Sequence, residues 1–178
     1  MLTETVKHLL ARQFAGCFST LGYCVEKCPE ALWNASVARY PFSQVAFHTL
    51  IFADLYLGRD AESLRRQPFH LANPAFFADY EQLEDREPVS VYERPQILTY
   101  LEFCRDKAAS TLAAETAEIL SAPAKFHWRS FSRTELHDFS RAELHVNNIR
   151  HIQHHAAQLT LRLRLDSDIQ IPWIGTGC

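Results

Sequence analysis

A chain of 178 residues with 47% hydrophobic side chains and only 5 glycines can bury a core without disulfides or a structural metal, and its shortage of glycine favours helices over turn-rich β architecture. Its net charge of −3 excludes a strongly basic nucleic-acid or membrane face. One domain over residues 1–178, in the cytoplasm, is expected: no apolar run reaches bilayer length, and the opening MLTETVKHLLARQF has an early acid and no continuous apolar core for a signal peptide.

The first helix is expected over residues 4 to 28, where Leu9, Leu10, Phe14, Phe18, Leu21, Val25 and Cys28 recur at steps of three and four. Gly16 and Gly22 cost helix propensity but permit close helix contact, and Pro29 ends the run because it pushes Cys28 out of the α region. Cys17, Cys24 and Cys28 lie along one side of this helix and read as small buried hydrophobes; an odd total of 5 cysteines without CxxC pairs argues against a disulfide framework or zinc ribbon. After a short connection carrying Trp33, the second helix runs from about Phe42 to Leu57 and is apolar almost all round, the mark of a buried element. His48 shares a side with Val45, Phe52 and Leu55, so its imidazole is expected to enter the core and to need partners there. It reads as the one inward ionisable group of this helix, with Asp54 on another side as a solvated or capping residue.

From Gly58 to Glu93 prolines and polar runs break the pattern. A connection this long can return along the whole molecule, which would make the second and third helices parallel. Phe69, Phe76, Phe77 and Tyr80 are expected to anchor it, through a short helix near one end, with a lid over a site as the alternative. The third helix is expected from about Arg94 to Leu120, with Ile97, Leu98, Leu101, Cys104, Ala108, Leu112 and Ile119 inward, ending at Ser121-Ala-Pro123. Residues 124 to 139, with His127, Trp128, His137 and a second SxxE from Ser132 to Glu135, form a connection whose histidines read as surface residues.

The fourth helix, Ser140 to Leu165, opens on Ser140-Arg-Ala-Glu143, a capping box. His151 and His155 stand four residues apart, close enough around a helix to converge on one ion. Ile149, Ile152, Ala156, Leu159 and Leu163 form an adjoining apolar stripe, while His154 points elsewhere. With 9 histidines in the chain, chance supplies about half of one such pair, so the spacing alone leaves satisfied or solvated histidines open. The tail beyond Leu165, with Ile169, Ile171, Pro172 and Trp173, is expected to dock on the helices.

The segment Cys28-Pro-Glu-Ala-Leu-Trp33, the helix Val45 to Leu57 around His48, and Ile149-Arg-His-Ile-Gln-His-His-Ala-Ala-Gln-Leu159 together resemble the DinB-like family, whose fourth helix carries an HxxxHxxQL signature. The resemblance covers nearly the whole chain; Ala157 stands where many relatives have glycine. It implies an all-α fold, a four-helix bundle in up-down-down-up order with a long crossover between helices two and three. It also implies a divalent-metal site with His48, His151 and His155 as ligands. Three neutral imidazoles leave positions open for water or substrate and suit Zn²⁺, Ni²⁺, Fe²⁺ or Cu²⁺. Two activities on a small-molecule substrate follow, metal-assisted hydrolysis and transfer of a low-molecular-weight thiol onto an electrophile, the latter performed by some members of that family. Gln158 can orient a ligand or water but cannot take a proton, and Glu143 is occupied by the cap, so no catalytic residue beyond the ligands is named. The competing class is a non-enzymatic bundle, either a metal-binding or stress-related protein without turnover or a dimer whose function is interaction. Relatives often pair through helices, which makes a homodimer the expected assembly.

Overall fold

The computed structural model describes residues 2–78, 90–124 and 139–176. The expected tyrosine anchor Tyr80, the residues His127, Trp128 and His137, the second SxxE and Cys178 lie outside the described residues. Those that are described are mostly helical, and none of their helices is long and apolar enough to cross a membrane.

Helix α1, Leu2–Lys27, buries Leu10, Phe14, Cys17, Phe18, Leu21, Cys24 and Val25, the three- and four-residue steps that put side chains on one face. Leu9, expected inward, is 56% exposed; it stands beside Leu10 in sequence and therefore about 100° away around the helix. Pro29 stops α1, and the single turn α2, Glu30–Trp33, leads to a two-stranded antiparallel hairpin of β1, Ser36–Val37, and β2, Tyr40–Pro41. Helix α3, Phe42–Leu57, is buried along its entire length, as its all-round apolar composition requires.

Asp54 corrects the reading of α3. It is neither solvated nor a cap: its side chain is fully buried and meets His70 Nε2 at 2.6 Å, the Tyr100 hydroxyl at 2.8 Å, Gln67 Nε2 at 3.1 Å and the Lys107 ammonium. A helix covered on every side has no solvated face, so an acid on it has to find its partners in the core. Those partners come from the crossover and from the third long helix. His70 lies flat on Phe77, with ring centroids 3.7 Å apart.

Between α3 and that helix, the crossover forms two short helices, α4, Ala61–Arg65, and α5, Pro68–Ala72. Phe77 is buried and Phe69 and Phe76 are partly buried against Tyr100, Phe103 and Phe47, so these aromatics do anchor the segment. Helix α6 spans Arg94–Ala114 and stops earlier than its periodicity suggests. Glu115 takes an extended conformation, Thr116 caps a separate turn α7, Ala117–Ser121, and Ile119, expected inward, is 42% exposed. The break has a physical cause: it turns Glu115 inward onto Arg141 Nε at 2.7 Å and His145 Nε2 at 2.8 Å.

Helix α8, Arg141–Ser167, starts with the expected capping box: Ser140 Oγ accepts from the Glu143 N–H at 3.3 Å and Glu143 Oε2 accepts from the Ser140 N–H at 2.7 Å. It ends where Asp168 adopts a left-handed conformation, φ 52°, and its N–H reaches the carbonyls of Leu163 and Arg164. Beyond it Ile169 and Ile171 pack on the core, but Trp173 is 85% exposed and does not dock.

Helices α1 and α3 each pack against both α6 and α8. Close contacts fix the pairwise directions. Along α3 and α6 residue numbers rise together, from Phe47 beside Tyr100 through Leu50 bonded to Cys104 to Asp54 bonded to Lys107. Along α1 and α8 they also rise together, from Phe14 beside His145 to Cys24 beside Thr160. Between α3 and α8 they run oppositely: Ala53 meets Asn148, and the carbonyl of Leu57 meets Arg141. At Gly22 a Cβ would stand 3.1 Å from Leu101 and from Arg105, so this glycine does permit the close approach of α1 to α6.

Candidate metal centre

The antiparallel register of α3 and α8 brings the middle of one against the middle of the other. His48 is buried on α3, and His151 and His155 face it from one side of α8. His48 Nε2 and His151 Nε2 lie 3.4 Å apart, and one ligand nitrogen from each of the three histidines lies within 4.8 Å of the others. Two nitrogens bound tetrahedrally at 2.0–2.1 Å from one ion stand about 3.3 Å apart, so the observed pair already has the spacing of two ligands. No carboxylate belongs to this group among the described residues, and a bound divalent ion would keep its full charge. His154, as expected, is exposed and outside the group.

Burial sets the protonation of all three rings. It pulls the His48 pKa down to about 3, with the neighbouring His155 adding to the effect. Burial also holds His151 well below the ordinary value, helped by His155, His48 and His154. His155 is lowered to about 4, again chiefly by burial, although its bond to Gln158 opposes the shift. Neutral imidazole is the form that ligates metal, so the donor set fits a soft-to-borderline divalent cation.

Orientation differs among the rings. His155 Nδ1 donates to Gln158 Oε1 at 2.9 Å, and Gln158 Nε2 donates to His154 Nε2 at 3.2 Å. The bond to Gln158 fixes the His155 tautomer and leaves Nε2 as the free donor, the arrangement that an outer hydrogen bond gives to a metal-bound histidine. Nδ1 of His48 and of His151 is buried without a hydrogen-bond partner; packing holds these rings instead. Phe52 lies 4.7 Å from His48 and 5.4 Å from His151, centroid to centroid, and Tyr56 stands edge-on to His151 at 6.3 Å.

The four thiols among the described residues are unsuited to nucleophilic chemistry. Cys17, Cys24, Cys28 and Cys104 are free and buried, and burial pushes Cys17 up to about 12 and both Cys24 and Cys28 up to about 11. Glu143 is held below the ordinary carboxylate range by its bonds to Ser140, so it stays a cap.

Two buried clusters went unread in the sequence: Asp54 with His70, Tyr100 and Lys107, and Glu115 with Arg141 and His145. His145 carried a signal, since His145, Asn148, Ile152, Ala156, Leu159 and Leu163 recur at steps of three and four and all are buried. The stripe continues about two turns beyond Ile152 toward the N-terminus. His70, in a five-residue helix, carried none.

The chain matches no protein-family model, no curated protein and no solved structure, so a relation to DinB-like proteins rests on the chain's own residues.

Proposed function

We propose that His48, His151 and His155 hold one divalent cation, Zn²⁺, Ni²⁺ or Fe²⁺, in a metal-dependent enzyme of DinB-like type that transfers a low-molecular-weight thiol onto a small electrophile. The observation that carries this reading is the 3.4 Å approach of His48 and His151 across two helices more than a hundred residues apart in sequence. The pairwise helix directions support the bundle order that such a protein requires, up-down-down-up for α1, α3, α6 and α8, with the crossover between α3 and α6.

When bound, the cation supplies Lewis acidity toward a thiol or a water molecule. The chain supplies the rest: three neutral rings grip the ion, Gln158 holds His155 in the required tautomer, and Phe52 and Tyr56 cover one side of the site. Thiol transfer is favoured over hydrolysis by the absence of a proton-accepting side chain in the cluster among the described residues. A free thiol ionises near pH 8.5 and needs far less assistance than water, whose pKa is about 15.7. The same absence is what favours the second reading, a metal-binding or stress-related protein without turnover. A homodimer in the cytoplasm accompanies either reading; Leu161 and Leu165, exposed one turn apart on α8, offer it an apolar contact.

Consumption of glutathione, bacillithiol or mycothiol in the presence of an electrophile and added metal tests the proposal. Turnover by the wild type that disappears in His151→Ala is expected. No turnover with any of the thiols selects the non-catalytic reading, and cleavage of ester or amide substrates without thiol selects hydrolysis.

A further inference from the structure

At the C-terminal end of α3 lies a pocket of about 680 Å³, inside the size range of small-molecule sites. Arg141 lines it and stands ten residues before His151, so the pocket is about 15 Å along α8 from the three histidines and is not the mouth of that site. Its formation depends on the break after α6. Because α7 turns away at Glu115, Ile119, Ala122 and Pro123 make one wall, opposite Leu57.

The polar groups of this pocket are built from the interior outward. Arg141 is committed: it donates to the carbonyls of Tyr56, Leu57 and Gly58, closing the end of α3, and pairs with Glu115. Lys107 gives two of its donors to Asp54, one to the carbonyl and one to the carboxylate, leaving a third for the pocket that it lines. Thr111, one turn along α6 from Lys107, lines the pocket with a hydroxyl that bonds to no other described residue, and Arg59 adds an exposed guanidinium. Of the three cationic side chains that line the pocket, Lys107 pairs with Asp54 and Arg141 with Glu115, whereas Arg59 pairs with no carboxylate among the described residues. Each ion-pair cluster thus lends side chains to the lining of one pocket, Lys107 from the first and Glu115 and Arg141 from the second, and burying them costs desolvation energy that apolar packing would avoid.

We infer that this pocket binds a small amphipathic organic anion, its acidic head on Lys107, Thr111 and Arg59 and its apolar body against Leu57, Ile119 and Pro123. The site is independent of the metal centre and would stand if that centre bound no ion.

The test uses 8-anilinonaphthalene-1-sulfonate as a fluorescent probe on the full chain, displaced by decanoate, decyl phosphate or decanol. Saturable 1:1 binding is expected, displaced by either anion and not by decanol at equal concentration. Thr111→Phe, which fills the pocket, is expected to weaken the probe about tenfold or more at an unchanged urea midpoint, and Arg59→Ala, an exposed change that the fold tolerates, about threefold. His48→Ala should bind like the wild type. Displacement by decanol as strong as by the anions, probe affinity unchanged in both Thr111→Phe and Arg59→Ala, loss of the site in His48→Ala, or no 1:1 binding overturns the inference. Preference between decanoate and decyl phosphate identifies the head group.

Discussion

His48 has the strongest constraints of any single side chain in the candidate centre. It is 4% exposed, its Nδ1 has no partner, and its Nε2 faces another imidazole. A buried neutral ring of this kind resists protonation, whereas the same ring in the unfolded chain takes up a proton below its ordinary pKa of 6.5. The unfolded state therefore binds more protons in acid, and stability falls as pH drops from about 6.5 toward the folded value of about 3. The expected slope from this residue is on the order of 1 kcal/mol per pH unit below 6.5. Urea unfolding of metal-free protein at pH 7, 6 and 5 measures it; His48→Phe should flatten the dependence, and an identical slope in that variant would remove His48 as its source. Asp54 makes the complementary case. Its carboxylate is held low by His70 and Lys107 despite burial, which acts the other way and is the largest single influence. Asp54→Ala leaves a buried histidine and a partly buried lysine without their anion, a loss of about 3 kcal/mol, read as a lower urea midpoint. Cation stoichiometry at His48, His151 and His155 should survive this change wherever the variant is folded.

At the scale of the element, periodicity located what is continuous and missed what is imposed from outside. The ends of α1, α3 and α8 were legible because each is marked locally: Pro29 after α1, the Gly58 region after α3, and the Ser140 capping box before α8. Ser140→Ala removes the side-chain acceptor for the Glu143 N–H and should cost about 1 kcal/mol, measurable as a shift in the thermal midpoint; no shift would mean that the box is ornamental to α8. The break at Glu115 was not legible, because residues 94 to 120 keep an apolar period across it. What breaks the helix is a demand from elsewhere, the Arg141 guanidinium and His145 imidazole of α8 closing on Glu115. The Asp54 partners were hidden for the same reason, since they sit on α5 and α6, and neither helix advertises them. The inward histidines of α8 were half legible: His151 and His155 announced themselves by spacing, while His145 was concealed by being polar in an otherwise apolar stripe. Gln158 was read as an orienting group, and its bond to His155 has that form.

For the whole molecule, the decisive feature is that α3 and α8 run in opposite directions while each packs on α6 or α1 with rising register. One consequence is that the described residues hold two polar foci along α3, the three imidazoles at its middle and the ion-paired pocket at its C-terminal end. Both are enclosed by long helices, and each draws side chains from segments far apart in the chain, which is why local sequence pattern reveals so little of the second. A ligand at either focus binds only the folded chain and should raise its stability in proportion to the logarithm of ligand concentration over Kd.

The most direct test of the central claim is metal content by mass spectrometry on protein purified without a histidine tag and incubated with Zn²⁺ before desalting, wild type beside a folded His48→Ala. Close to one ion per wild-type chain and almost none in His48→Ala is the predicted result, because removal of the α3 ligand leaves only the α8 pair. Equal metal in the two proteins, or none in either, would contradict it.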